Sequence, residues 1–266
     1  MLLGENTAVP AQYAPEILDP IPRQLGRAEL GLAVDSLPFS GEDVWHGWEL
    51  SWLDSGGVPQ VGIMRLSVPC TSPLLVESKS LKLYLNSLNQ MRCSSVQSLQ
   101  QTLVADISAV AGAAVGVEVL DMDAPALAVG TIPGSCIDQA VVESIPSKPA
   151  AELLMATPSQ GEQQLHSHLL RSLCPVTAQP DWATLVVKVE GVALNESALL
   201  GYLLGFRQHQ EFHEQCVERI FCDLQRNCQP EHLTVQALYT RRGGLDINPF
   251  RSSSEEVAPR LRSLRQ

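Results

Sequence analysis

Residues 174–182 read CPVTAQPDW, a thiol and a carboxylate seven positions apart in a segment punctuated by two prolines. Pro175 and Pro180 fix their own φ angles and push Cys174 and Gln179 out of helical geometry, which predicts a stiff extended loop. The thiolate is the nucleophilic form of cysteine, and a free thiol is only slightly ionised near neutral pH. A carboxylate within reach can take the thiol proton and later return it as a general acid. Cys174 and Asp181 are thus a candidate nucleophile and proton donor. The competing reading is a buried strand end followed by a turn residue.

HQEFHEQC (209–216) places His209, His213 and Cys216 at i, i+4 and i+7, a spacing acceptable for metal ligands on one helix face. HEQCV opens like the H-E-x-x-H zinc signature, but Val217 stands where the second histidine must be. A solvated helix face is the plainer alternative. A third is a helix start at which His213 and Glu214 offer a proton donor and an acceptor to a polar ligand. VESKSLKLY (76–84) sets Lys79 and Lys82 near a helix N-terminus with Ser78, an arrangement suited to phosphate or to an ordinary solvated helix start. In RRGG (241–244), adjacent arginines precede glycines that let backbone approach a ligand closely. AGAAVGVEVLD lacks the G-x-G-x-x-G of a dinucleotide turn. NES (195–197) is a glycosylation sequon that a cytosolic chain does not use.

These groups must be positioned by a chain of 266 residues, enough for one large domain or two small ones with a substantial core. Hydrophobic content of 45% and charged content of 18% are ordinary for a globular protein. A net charge of −11 argues against non-specific binding to nucleic acid or anionic membranes. No apolar run approaches the ~20 residues a membrane span needs. The N-terminus has neither a basic nor an apolar signal region, so a cytoplasmic location is expected. Seven cysteines, none in a C-x-x-C pair, suggest free thiols, most of them buried.

Residues 1–42 read as an irregular lead-in. Periodicity predicts strands over 44–53 and 59–68, helices over 78–91 (with Ser78 as an N-cap) and about 95–110, and a strand over 115–122. Residues 123–160 read mainly as a connection, and the pattern then restarts. Strands are expected over 164–173 and 183–192, helices over 197–208 and 212–228, and a closing strand over 233–240 before RRGGLDINP. A faint echo aligns LVESKSLKLYLNS with ALNESALLGYLLGF, Leu81 with Leu199 and Tyr84 with Tyr202. With the matching element order it points to two related modules, 43–150 and 151–266.

ESKSLKLYL (77–85), CPVTAQPDW (174–182), FHEQC (212–216) and RRGGLDINP (241–249), in one chain, resemble the NADPH-dependent 7-cyano-7-deazaguanine reductases, the nitrile reductases of queuosine biosynthesis. The likeness runs from about residue 31 to the C-terminus, in the order of the long, two-module form. It implies an α+β architecture of tandem tunnelling-fold (T-fold) modules, antiparallel strands with paired helices on one face, and association as a homodimer. It implies that Cys174 attacks a nitrile to form a thioimide, that Asp181 supplies a proton, and that His213 assists. It assigns Val76, Glu77, Ser78, Phe212, His213 and Glu214 to the deazapurine substrate. Ser78, Lys79, Arg242 and Gly243 fall to NADPH. No metal, no direct nucleic-acid contact and no membrane contact are implied. Ala178 stands where a glycine is frequent in the family, a tolerable change if its φ is negative. The alternative is a zinc-dependent purine or pterin hydrolase on the same fold, using His209, His213 and Cys216.

Overall fold

The computed structural model describes residues 10–33 and 36–266. In chain order the elements are β1 (Pro20–Pro22), α1 (Arg23–Glu29), β2 (Ser40–Leu53), β3 (Pro59–Pro69), β4 (Leu74–Val76), α2 (Ser78–Ser87), α3 (Val96–Ala111) and β5 (Gly116–Leu120). Then come β6 (Ser135–Cys136), β7 (Ala156–Leu173), β8 (Pro180–Leu194), α4 (Glu196–Leu204), α5 (His213–Cys228), β9 (His232–Tyr239) and β10 (Leu245–Ser252). The strands pair antiparallel throughout the main ladders, with a short parallel contact of β6 on β7. This is the expected α+β class. Among the described residues no helix is long and apolar enough to cross a membrane.

The chain divides into two compact units, each gathered from separate stretches. The first takes residues up to 25, 43–128 and 241–247. In it β3 lies between β2 and β5, with Ile63–Ser67 in register against Leu120–Gly116. Helix α3 turns Leu99, Leu103, Ile107 and Ala111 to one side at i, i+4 spacing. These meet Leu81, Tyr84 and Leu85 of α2 and the strand residues Leu50, Trp52, Met64 and Leu66 in one core. Ser95 caps α3 by accepting the Ser98 N–H at 3.1 Å.

The second unit takes 26–42, 129–240 and 248–266. Its strand order is β10-β9-β8-β7-β6. The long β7 and β8 pair from Ala156↔Leu194 to Leu173↔Pro180, with two bulges on the way. The α5 stripe of Cys216, Val217, Ile220, Phe221 and Leu224 is fully buried. On the same helix Glu218 accepts from Arg27 at 2.7 Å and from Arg251 at 2.9 Å. Two guanidinium groups on one carboxylate satisfy charges that would be costly to leave buried alone.

Several elements differ from expectation. The lead-in contains β1 and α1, and its Pro20–Pro22 pairs with Val76–Leu74 of β4. The expected helix over 78–91 ends at Ser87 with a 3-10 turn to Gln90, and that over 197–208 ends at Leu204 with a turn to Gln208. Strand β7 begins at Ala156, well before the predicted 164, because its polar first half pairs with β8 while largely exposed. Strand β10 was not foreseen, since the last strand was expected to end at 240, before RRGGLDINP. In the fold Asp246 and Asn248 are buried and bonded: Asp246 accepts from Trp48 Nε1 at 2.5 Å, and Asn248 Oδ1 accepts the Tyr239 N–H at 3.2 Å.

Candidate active site

In the second unit, CPVTAQ (174–179) is the hairpin loop joining β7 to β8. Leu173 pairs with Pro180 and Ser172 with Asp181. The loop is a closed turn, not the extended segment the prolines suggested: Ala178 N–H donates to Cys174 O at 3.0 Å, and Cys174 N–H to Gln179 O at 2.9 Å. Closing it so tightly requires a left-handed residue, and Ala178 has φ +53°. The condition under which alanine would be tolerated without strain, a negative φ, is therefore not met. An alanine takes this geometry at a cost of about 1–2 kcal/mol.

The end of β7 also fixes the next functional segment. Leu173 N–H donates to His209 O at 2.8 Å, and Glu211 N–H to Leu173 O at 3.2 Å. These bonds hold the start of α5 beside the cysteine loop. Phe212 takes the N-cap position with no side-chain cap, so the first-turn N–H groups and their positive partial charge are not quenched by it. His213, the first helical residue, places Nε2 3.6 Å from Asp181 Oδ2, and its ring meets Tyr239 edge-on with centroids 4.0 Å apart. Cys174, Asp181 and Glu214 are buried, while Phe212 and His213 are half-buried.

Glu211 anchors the approach to α5. Burial would raise its carboxyl pKa, but hydrogen bonds from His209 and Arg219 outweigh that and hold it below the ordinary value. The Arg219 Nε reaches it at 2.7 Å and His209 Nε2 at 3.1 Å. Cys216 lies on the same helix as His213. It is wholly buried, and burial, then the charge of Glu211, push its thiol well above the usual range. Such a thiol stays neutral and inert. Nor are His209, His213 and Cys216 a metal set: among the described residues the His/Cys group at ligand spacing lies elsewhere, at Cys136, His166 and His168.

In the first unit, Glu77 rather than Ser78 is the N-cap of α2, a correction to the expected cap. Its carboxylate accepts from Lys79 N at 2.9 Å and Ser80 N at 2.6 Å. A carboxylate has about four acceptor sites, so each oxygen keeps capacity for a ligand N–H. Val76 is buried at the end of β4, and Ser78 and Lys79 are half-buried on the first turn of α2. Arg242 and Leu245 close a turn whose central Gly243 and Gly244 have φ +63° and +78°. Only glycine adopts that pair readily. A Cβ on Gly243 would meet Lys82 Cδ and Cε at 3.1 Å, so this turn lies directly against the α2 lysine. Arg241 stacks on Trp48 at 3.7 Å from the ring centroid. The Ser78 hydroxyl, the Lys79 and Lys82 ammonium groups and the Arg242 guanidinium are a donor set suited to a phosphorylated cofactor.

Sequence reasoning missed Ser172, Tyr239, Glu211 and Lys82's contact with the glycine turn. Tyr239, the last aromatic of β9, carries no local signal, because only the pairing Ala183↔Tyr239 brings it under His213.

Comparison with known proteins bears on both units. Residues 9–119 match the family model described as nitrile reductase, 7-cyano-7-deazaguanine-reductase N-term, and 180–258 match that of the QueF-like proteins. The first match starts inside the supposed lead-in, well before residue 31. The chain is 49% identical over 267 aligned positions, 99% of its length and 94% of the relative's, to the NADPH-dependent 7-cyano-7-deazaguanine reductase of Dechloromonas aromatica (strain RCB). It belongs to the family of NADPH-dependent 7-cyano-7-deazaguanine reductases. A crystal structure of the archaeosine synthase QueF-Like in the apo form is similar at 14% identity and TM-score 0.31, covering 39% of this chain and 96% of that one. That likeness is too slight to carry an argument.

Proposed function

We propose that this chain reduces the nitrile of 7-cyano-7-deazaguanine to the aminomethyl group at the expense of NADPH. The observation that carries the reading is the corner where the Cys174 loop, Asp181 and the first residue of α5, His213, are held together by the ladder end at Leu173.

The Cys174 sulfur forms a bond to the nitrile carbon while one C–N π bond opens toward nitrogen. Asp181 delivers a proton to that nitrogen, giving a neutral thioimide. The positive end of α5 favours the thiolate needed for attack. NADPH, when bound, supplies hydride, and two hydrides are needed to take a nitrile to an amine. Once the thioimide carbon is reduced, the C–S bond breaks, Cys174 leaves as thiolate and an imine remains. Reduction of the imine and protonation of nitrogen complete the amine, with His213 holding or relaying the proton from beside Asp181. Splitting the reaction through a covalent adduct exchanges a poor hydride acceptor for a better one.

Glu77 and Glu214 accept the N–H edge of the deazapurine, Phe212 stacks on the ring, and Val76 and Ser78 complete that contact set. Ser78, Lys79, Arg242 and Gly243 hold the cofactor, with Lys82 beside the glycine turn. The chain is read as two related modules, 43–150 and 151–266, acting as a homodimer in the cytoplasm with no direct nucleic-acid contact.

The test omits NADPH. Incubating the protein with 7-cyano-7-deazaguanine is expected to add one ligand mass to the intact chain, and Cys174→Ala to remain unmodified. No adduct on the folded parent, or an adduct that survives in Cys174→Ala, would overturn the covalent route.

A further inference from the structure

Away from the Cys174 loop, the short strand β6 delivers a cysteine to two histidines. Cys136, His166 and His168 each offer one ligand atom, and the three atoms lie within 4.8 Å of one another. A tetrahedral zinc ion with Zn–S of about 2.3 Å and Zn–N of about 2.0 Å separates its ligand atoms by roughly 3.3–3.8 Å. The cluster needs only a rotamer-scale contraction to reach that geometry.

The backbone assembles the group deliberately. Strand β6 runs parallel to β7 with Cys136 opposite His166, and Ile137 N–H donates to His166 O at 2.9 Å. His166 and His168 are two apart on β7 and so share a face, with ring centroids 5.2 Å apart. A side chain at Gly134 would collide with the backbone of Gln164, so a glycine with φ +82° brings this segment onto the strand. Asp138 fastens the far side, accepting from Ser167 Oγ at 2.7 Å and from His168 N at 3.1 Å.

The imidazoles are also oriented as metal ligands are. His166 Nδ1 lies 3.0 Å from Pro133 O, and His168 Nδ1 lies 2.9 Å from Thr184 Oγ1. A carbonyl only accepts, so His166 Nδ1 carries the proton and Nε2 keeps its lone pair. The buried Thr184 hydroxyl can hold His168 in the same tautomer. Such outer hydrogen bonds are what fix the donor nitrogen of a zinc-bound histidine. Cys136 is exposed whereas the other six cysteines are buried, which leaves this thiol open to an ion from solvent.

We propose that Cys136, His166 and His168 form a zinc site, with water as the fourth ligand, that clamps the edge strand β6 and the connection around it to β7. It is separate from the Cys174 chemistry and does not depend on the reductase reading. A thiolate and two imidazoles are the ligand set that selects a late first-row divalent ion over magnesium or calcium.

The experiment uses the full chain, stripped with a chelator and titrated with Co²⁺ as the spectroscopic probe. One equivalent should bind with a thiolate-to-cobalt charge-transfer band and tetrahedral visible absorption, and Zn²⁺ should displace it. Cys136→Ser should abolish the charge-transfer band, and His166→Gln should weaken binding at least about 10-fold. Cys174→Ala should keep the parent spectrum. Absence of the band in the parent, its persistence in Cys136→Ser, or its loss in Cys174→Ala would each overturn the site.

Discussion

At the end of β2, Leu53 N–H donates to Met91 O at 2.9 Å and Cys93 N–H returns to Leu53 O at 2.8 Å. At the end of β7, Leu173 makes the same pair of bonds to His209 and Glu211. In both units the strand ends at a hairpin, and the bonded segment leads into the second helix of a pair. The first helix of each pair is capped by the residue the sequence echo aligns, Glu77 on α2 and Asn195 on α4. The aligned tyrosines also match: Tyr84 OH donates to Asp106 at 2.6 Å and Tyr202 OH to Asp223 at 2.7 Å, each aspartate lying on the following helix. Yet the first hairpin is an ordinary polar turn, with Asp54 Oδ1 accepting the Val58 N–H and Gly57 supplying a positive φ. The second carries Cys174 and Asp181, with His213 of α5 beside the latter. Conversely, Lys79 and Lys82 of α2 align with Ser197 and Leu200 of α4. One backbone plan thus carries two different sets of side chains.

The comparison is broken most directly at the two hairpins. Asp181→Asn and His213→Ala should each lower turnover by about 10²–10⁴-fold, the usual worth of a positioned proton-transfer group. Asp54→Asn, at the matching corner of the other unit, should leave turnover unchanged. Steady-state NADPH oxidation reads both, and an equal loss at Asp54 would mean that the two corners share the work.

The tyrosine–aspartate pairs sharpen it next. Burial and then the Asp223 charge raise the Tyr202 hydroxyl pKa well above its usual value, so Tyr202 is a neutral donor at every working pH. Tyr202→Phe leaves a buried carboxylate short of its donor and should cost about 1–3 kcal/mol in chemical denaturation. Asp106 accepts a second hydroxyl, from Tyr13 at 2.6 Å, so Tyr84→Phe should cost less.

Glu211 tests the anchor that the first unit lacks, since Cys93 occupies the matching place. Its folded pKa lies below the ordinary 4.5, so its stabilisation is complete above that pH and is lost as pH falls through the folded value. Glu211→Gln should therefore lower stability by about 1–3 kcal/mol near neutrality, with parent and variant converging as pH falls through the folded value. A gap in melting temperature that widens toward acid would contradict the assignment. The smallest effect is at Ala178. Replacing it by glycine relieves the left-handed strain that Gly57 avoids in the other hairpin, and should stabilise the chain by about 1 kcal/mol.

Local pattern carried much of this. Hydrophobic periodicity located both helix pairs and the hairpin strands, because the apolar stripes of α3 and α5 face cores directly. The motif residues of both units were legible because proline, cysteine and charge spacing are local properties. The lead-in helix α1 and strand β10 were not legible. Arg27 of α1 is buried only because Glu218, far along the chain, receives it, and Asp246 of β10 is buried only because His46 and Trp48 bond to it. The closed turn at Cys174–Gln179 was missed for a related reason: the backbone bonds across the loop, not its own prolines, dictate how it closes.

The sequence by itself determined the α+β class, the two-fold repetition of elements and the candidates for the reacting groups, since each depends on residue type and short-range spacing. Only the tertiary structure decided which of those groups meet. His213 reaches Asp181 because strand pairing brings 209–211 to Leu173, Glu77 turns out to be the cap of α2, and β6 sets Cys136 beside two histidines it precedes by thirty residues or more. Contacts between distant segments follow from register and burial, which no local window of residues encodes.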